Sequence, residues 1–220
     1  MKRALLTIWA ASQIAAAEPA EDLQYTINWP SGLSLGEGRL KAARDGENWN
    51  FEFHFDAAIP GFGVSDRFLS LANQEQCSIE FDKELQHGRR KSKEKISFGP
   101  GGRMTRETVG GGKSELSVPA CARDALAFIF HLRRELSQGR IPPAQSVYYG
   151  APYQVRLEYK GAERLRLAES IEETDRVRAL VKGPVSSLEI EVWFARDQTR
   201  TPLMAKVPLA MGTFSMEIVR

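Results

Sequence analysis

The two cysteines of the 220-residue chain are the first side chains whose type suggests chemistry. Cys77 and Cys121 form an even count, which favours a single disulfide in an oxidising compartment. Such a bond would close a long loop and stabilise the fold by about 4 kcal/mol in the chain-entropy model. The alternative is two separate buried thiols that pack as small apolar residues.

His131 and Glu135 are the next candidates, because they lie four residues apart in a helical pattern. That spacing places both on one side of a helix, where they could form an acid–base or metal-binding pair. The alternative is a surface pair, or a histidine packed at the edge of the core. Two cysteines and three scattered histidines supply no ligand cluster, so we predict no metal site and no cofactor.

The remaining polar groups suggest no recognised catalytic site. Asp197 with Arg196 and Arg200 reads either as a substrate clamp or as a charged hairpin turn. Ser65 and Asp66 lack the Gly-x-Ser-x-Gly surround of a hydrolase nucleophile. The acidic run at 169–173 offers paired carboxylates, although a loop rich in acidic residues is the commoner explanation. We therefore predict no catalytic residue, and an enzyme stays as an alternative.

Most of the elements that must position these residues have the pattern of β-strands. Trp49, Phe51, Phe53 and Phe55 alternate with polar residues, and the Asp-Gly pair at 45–46 predicts a hairpin before them. About ten strands are expected in one domain. Thirteen segments have a strand-like pattern from which these strands would be drawn: 23–29, 33–43, 49–55, 64–72, 77–85, 89–98, 103–108, 153–159, 165–168, 177–182, 188–194, 202–208 and 213–219.

One segment, 122–138, has helical periodicity. Its apolar residues recur three and four positions apart, and Phe128 widens the apolar face. Gly139 follows its end and two prolines at 142–143 prevent continuation. We thus expect a mainly β fold, of the β-rich α+β kind, with one principal helix.

The charge pattern gives no reason to propose a nucleic-acid partner. Thirty Lys and Arg residues nearly balance 28 Asp and Glu residues, for a net charge of +2. The one basic run, at 87–95, predicts a solvated edge strand whose charges prevent edge-to-edge pairing.

Residues 1–17 have the layout of a secretory signal peptide. Lys2 and Arg3 precede a short apolar run that ends in three alanines at 15–17. We expect cleavage near Ala17, a periplasmic or secreted protein at 18–220 with no lipid-anchor cysteine, and no membrane span afterwards. Since Lys2 and Arg3 leave with the peptide, 28 basic and 28 acidic residues would remain.

Several motifs resemble a bacterial exported family known as domain of unknown function 3108. They are the "G-x-x-Y-x-V" strand at 150–157, the "W-x-x-x-D" strand and turn at 192–197, the Thr-Pro-Leu at 201–203, the terminal strand at 212–218, and the helix at 124–136. The resemblance covers most of the chain from Leu23 onward. It implies a large curved antiparallel sheet or half-barrel that holds an apolar ligand against a helix, as in bacterial lipoprotein carriers, and it assigns no functional residues.

The leading hypothesis is a non-catalytic binding or carrier protein of the cell envelope. The aromatic strand and the wide helix face predict an apolar groove formed by Trp49, Phe51, Phe53, Phe55 and Phe128. Its occupant would be a lipid or another apolar ligand. The two alternatives are an envelope enzyme, hydrolase-type or other, and a structural partner in envelope assembly.

Overall fold

A computed structural model describes residues 21–59, 61–209 and 212–219, so the predicted signal peptide lies outside the described residues. The first half of the chain forms eight strands: β1 (Glu21–Asn28), β2 (Ser34–Asp45), β3 (Asn48–Ile59), β4 (Phe62–Ala72), β5 (Ser78–His87), β6 (Arg90–Gly99), β7 (Arg103–Thr108) and β8 (Lys113–Ser117). The second half forms β9 (Arg123–Asp124), α1 (Ala125–Ser137), β10 (Gln145–Tyr148), β11 (Pro152–Arg166), β12 (Ile171–Lys182), β13 (Ser187–Ala195), β14 (Pro202–Leu209) and β15 (Gly212–Ile218).

All fifteen strands belong to one curved sheet. Two meanders, β8 to β1 and β15 to β9, join where β1 pairs with β15 at the centre of the strand order. Every pairing is antiparallel except that of β9 with β10. Because sequential strands joined by short turns pair most readily, this order needs long-range pairing mainly at the β1–β15 junction.

The sheet curls until its two halves meet. The Ser78 N–H of β5 donates to the carbonyl of Ala122, which precedes β9, at 2.9 Å. Cys77 and Cys121 lie at disulfide distance beside this contact, with their Cα atoms 4.8 Å apart. These contacts connect β9, at one edge of the strand order, to β5 of the first meander.

The helix α1 crosses one end of the curved sheet. At its start, Asp124 accepts from the backbone N–H groups of Leu126 and Ala127, as an N-cap residue does. Farther along, Arg133 forms a bidentate pair with Glu21 of β1, at 2.7 Å for both contacts. We call this the helix-filled end, and the opposite end of the strands the helix-free end.

The core lies between the helix and the concave face of the sheet. Phe130 of α1 stacks on Phe51 of β3 with ring centroids 4.0 Å apart. On the other side, Leu132 and Leu136 pack in one buried cluster with Val177 and Phe194. The helix therefore touches both meanders, which explains why eight of its thirteen residues are buried.

The structure confirms the predicted fold class, a mainly β chain with one helix and a large curved sheet. No helix within the described ranges has both the length and the apolar character needed to cross a bilayer.

Two local predictions need correction. The basic run belongs to β6, which is an inner strand because β7 and β8 pair beyond it. The glycines at 110–112 form the turn that connects β7 with β8. In the acidic run at 169–173, Glu169 lies in the β11–β12 connection, whereas Glu172 and Glu173 belong to β12 rather than to a loop.

Candidate functional site

A row of aromatic side chains on the concave face runs past the helix. Phe53 and Phe55 follow Phe51 at alternate positions of β3, so all three lie on the face that α1 covers. The row passes to Phe68, which pairs with Phe53 across β3 and β4, and then to Tyr149 in the β10–β11 turn. Ring centroids are 5.7 Å apart for Phe53 and Phe55, 6.2 Å for Phe53 and Phe68, and 5.7 Å for Phe68 and Tyr149.

Exposure divides this row into two parts. Phe51 and Phe68 are buried, whereas Phe53 and Phe55 are only half-buried, and Leu85 beside them is half-buried too. Covering the part of such a phenyl ring that is still exposed would contribute up to about 1 kcal/mol. The concave face thus keeps an uncovered apolar wall towards the helix-free end.

Small residues face this wall from β2. Gly38 pairs with Phe55, and a Cβ atom there would lie 3.7 Å from the ring of Phe53. Gly36 pairs with Ala57, and a Cβ atom there would lie 1.9 Å from the carbonyl oxygen of Asp56, so no larger residue fits. Beside Phe53 and Phe55, β2 therefore contributes no side chain at positions 36 and 38.

A buried ion cluster adjoins the aromatic row. The Lys83 ammonium lies 2.8 Å from Glu94, and the Arg106 guanidinium lies 2.5 Å from the other oxygen of the same carboxylate. Lys83 also donates to the Tyr149 carbonyl at 3.2 Å and sits 4.0 Å from the centre of the Tyr149 ring. Gly150, with φ of +87°, makes room for the cluster, because a Cβ there would lie 2.8 Å from Glu94 Oε2.

The charges in this cluster are set by burial and by one another. Burial lowers the pKa of Lys83, an effect that the hydrogen bond and charge of Glu94 oppose. Burial by itself would raise the pKa of Glu94, but Lys83 and Arg106 hold it below its ordinary value. Glu94 is therefore an ionised acceptor shared by two cations.

A second polar pair lies in the same wall. Asp66 of β4 lies opposite Phe55 of β3 in the strand register. Its buried carboxylate has His87 Nε2 at 3.0 Å from both oxygens. The backbone N–H of Gln86 donates to it at 3.2 Å. An amphipathic molecule on the wall would thus meet apolar rings along most of its length and polar groups at one side.

Surface depressions lie at the helix-free end as well. One of about 840 Å³ surrounds the β12–β13 turn, and another of about 600 Å³ lies beside the ends of β2 to β5. Both are open to solvent, and neither is an enclosed chamber.

Comparison with known families decides the classification. Residues 24–219 match the model of a family described as "Protein of unknown function (DUF3108)". The chain belongs to the DUF3108 family. This confirms the resemblance noted in the sequence, and the family description assigns no activity.

A solved structure shares the fold of this DUF3108 chain. It is the crystal structure of a beta-barrel-like protein of domain of unknown function DUF1849 from Brucella abortus. The two chains superpose with a TM-score of 0.63 and 7% identity, covering 91% of this chain and 95% of the other. No curated protein matches the sequence.

The predicted groove residues of the DUF3108 chain separate into three places. Phe53 and Phe55 line the uncovered wall, whereas Phe51 is covered by the helix. Trp49 stacks on Phe51 at the helix-filled end, with ring centroids 5.8 Å apart. Phe128 does not join them, since it packs in a separate cluster with Val147 and Val155.

The acid–base candidates do not form the arrangements that their spacing suggested. His131 is buried, with Nδ1 3.2 Å from Arg134, while Glu135 pairs with Arg140 at 2.8 Å. Burial, with the charges of Arg123 and Arg134, lowers the pKa of His131 to about 4, so the ring is neutral near pH 7. In the described part of the chain, no three His, Cys, Asp or Glu residues are grouped to hold a metal ion.

The predicted clamp at the β13–β14 turn is organised around a different carboxylate. The Arg200 guanidinium pairs with Asp175 at 2.6 Å and that of Arg196 lies 3.5 Å from the same carboxylate, so both guanidinium groups face Asp175 rather than Asp197. Asp197 instead accepts from the hydroxyl and the N–H of Thr201, which holds the turn closed. Ser65 points to the face opposite Asp66, in register with Asp56 and Gln86.

Sequence reasoning missed Lys83 and Glu94. A signal was present, because Phe81, Lys83 and Leu85 alternate with acidic residues in β5 and therefore share one face. Glu94 was concealed inside the basic run, where it occupies the one inward position between Ser92 and Ile96.

Proposed function

We propose that this protein binds an apolar or amphipathic molecule against its concave face, as a non-catalytic binding or carrier protein of the cell envelope. The observation that carries the proposal is the pair of half-buried rings, Phe53 and Phe55, in a wall that the helix leaves uncovered. Soluble proteins cover such surface with their own chain unless another molecule uses it.

The location in the envelope rests on two observations. The N-terminal residues have the signal-peptide pattern, and the cysteines lie at disulfide distance. Disulfides persist in oxidising compartments, among which is the bacterial periplasm.

Binding of a fluorescent fatty acid to purified, delipidated protein tests the proposal. We expect saturable binding that the Phe55→Arg substitution weakens roughly tenfold or more, because it places a charge where an apolar chain would lie. The matched control is Ile171→Arg, which adds the same charge at an exposed position of the helix-filled end and should leave binding unchanged.

A second measurement addresses the natural ligand. Native mass spectrometry of protein isolated from its own host should show a lipid or another apolar adduct, reduced in the Phe55→Arg variant. Equal probe binding by the wild type and by Phe55→Arg, together with repeated absence of an adduct, would contradict the proposal.

A further inference from the structure

The antiparallel topology gathers seven turns at the helix-free end. Alternate turns of a meander lie at the same end of the sheet, and β15 runs opposite to β1, so turns from both halves meet there. They connect β1 with β2, β3 with β4, β5 with β6, β7 with β8, β10 with β11, β12 with β13 and β14 with β15.

Large apolar side chains project at this end. Val185 is 97% exposed, Val109 72%, Leu33 65%, Leu209 49% and Phe62 45%. Each lies in one of the seven turns or at a strand end beside one. Turn residues are usually polar, so five exposed apolar side chains around one end of a sheet form an unusual rim.

Unpaired basic side chains join the same rim. Arg89, Arg90 and Lys91 in and beside the β5–β6 turn are exposed, and no ion pair involves them among the residues that the structure describes. Farther along β6, Lys93 and Lys95 do pair, with Glu84 and Glu80. The ring of Phe62 lies against Gly88, where a Cβ would be 3.2 Å away, so the apolar and basic groups are contiguous.

The two ends differ in their acidic residues. The connections between strands at the helix-free end contain no Asp or Glu, at 29–33, 60–61, 88–89, 109–112, 149–151, 183–186 and 210–211. The connections at the helix-filled end contain Glu47, Glu75, Glu169 and Asp197. Apolar tips combined with uncompensated positive charge complement the surface of an anionic bilayer, which attracts cations and accepts shallow apolar insertions.

We propose that the helix-free end docks on the surface of an anionic lipid membrane. The apolar turn residues enter the headgroup region, and Arg89, Arg90 and Lys91 contact the lipid phosphates. The inference goes beyond the proposed function, and it places the uncovered part of the concave wall towards the bilayer.

Vesicle co-sedimentation tests the docking, with protein expressed from its full-length gene and processed by its host. We expect binding to phosphatidylethanolamine–phosphatidylglycerol vesicles that weakens as salt rises, and much weaker binding to phosphatidylcholine vesicles. Arg89→Gln, Arg90→Gln and Lys91→Gln together should lower the affinity about 100-fold, since each basic residue near a membrane surface contributes about fivefold.

The apolar rim is tested by Val109→Asp with Val185→Asp, which should abolish binding to the anionic vesicles. The matched control, Ile171→Asp with Val219→Asp, alters two exposed apolar residues at the helix-filled end and should leave binding unchanged. Equal effects of the two double variants, or no binding of the wild type to anionic vesicles, would overturn the proposal. So would rim-dependent capture of an envelope protein with no affinity for lipid.

Failure of vesicle binding can be distinguished from failure of fatty-acid binding. Phe55→Arg should lose the fatty-acid probe and still bind vesicles, whereas the rim variants should bind the probe in solution and lose vesicles. Circular dichroism melting of each variant identifies any loss that comes from unfolding.

Discussion

The two ends of the curved sheet are built from the same strands but are completed differently. At the helix-filled end, α1 supplies Phe130, Leu132 and Leu136 to the concave face, and charged groups of the helix are paired with β1 and the β13–β14 turn. At the helix-free end, the concave face carries half-buried rings, and the turns carry exposed apolar and unpaired basic side chains.

This difference shows that one end of the sheet contributes most to the stability of the fold, while the other end leaves apolar surface free to contact another molecule. Side chains that the helix covers are fully buried, and their burial stabilises the folded chain. The corresponding side chains farther along the strands stay partly exposed and therefore stabilise it less. Binding surfaces often expose apolar side chains in this way, because those side chains become buried only when the partner binds.

The largest expected contrast is between Phe51 and Phe55 of the same strand. Phe51→Ala should lower the free energy of unfolding by 3 to 5 kcal/mol, the cost of removing a ring stacked on Phe130 in the core. Phe55→Ala should cost about 1 kcal/mol, because its ring is only half-buried. Urea unfolding of both variants measures these losses of unfolding free energy. Equal losses would contradict the proposed difference between the two ends.

The cysteine pair should matter next, because it fastens the helix-filled end. Replacing Cys77 and Cys121 with serine together should lower the free energy of unfolding by 2 to 4 kcal/mol, through loss of the constraint on the unfolded chain. Urea unfolding of the variant beside the wild type provides the value. Thiol titration of denatured, unreduced wild type should detect no free thiol, and two reactive thiols would show that no bond is made.

The smallest expected effect is the pH dependence contributed by His131. Its folded pKa of about 4 lies below the ordinary value of 6.5, so the unfolded state binds the proton more readily. This contribution to stability is complete above pH 6.5 and is lost as the pH falls towards 4. His131→Gln should flatten the change in urea midpoint between pH 7 and pH 4.5, and a midpoint that changes with pH as much in the variant as in the wild type would contradict this assignment.

Local patterns were sufficient for most of the fold. The alternation at 49–55 and the Asp-Gly pair identified the hairpin of β2 and β3, and the periodicity at 122–138 identified α1. Strand neighbours were harder, because nothing local to 89–98 shows that a glycine turn lies between two further strands. Pairing is a property of the whole chain, and β6 became an inner strand through residues that follow it.

The candidate site was predicted in part. Alternation placed Phe53 and Phe55 on one face, but it could not show how far along β3 the helix reaches. Lys83 and Glu94 were missed because a charged residue is assigned to solvent by default. Their burial depends on a partner from the adjacent strand and on the close approach of Gly150, neither of which spacing along the chain reveals.

The junction of β1 with β15 has a consequence for how the molecule forms. Tyr25 and Ile218 are neighbours across this pairing although almost the whole chain separates them. One edge of β1 therefore stays without a partner until Gly212–Ile218 has left the ribosome, and the two meanders cannot be united before then. An open strand edge invites aggregation, so holding the nascent chain unfolded until synthesis is complete would protect it. Such a chain is well matched to transport across a membrane before folding.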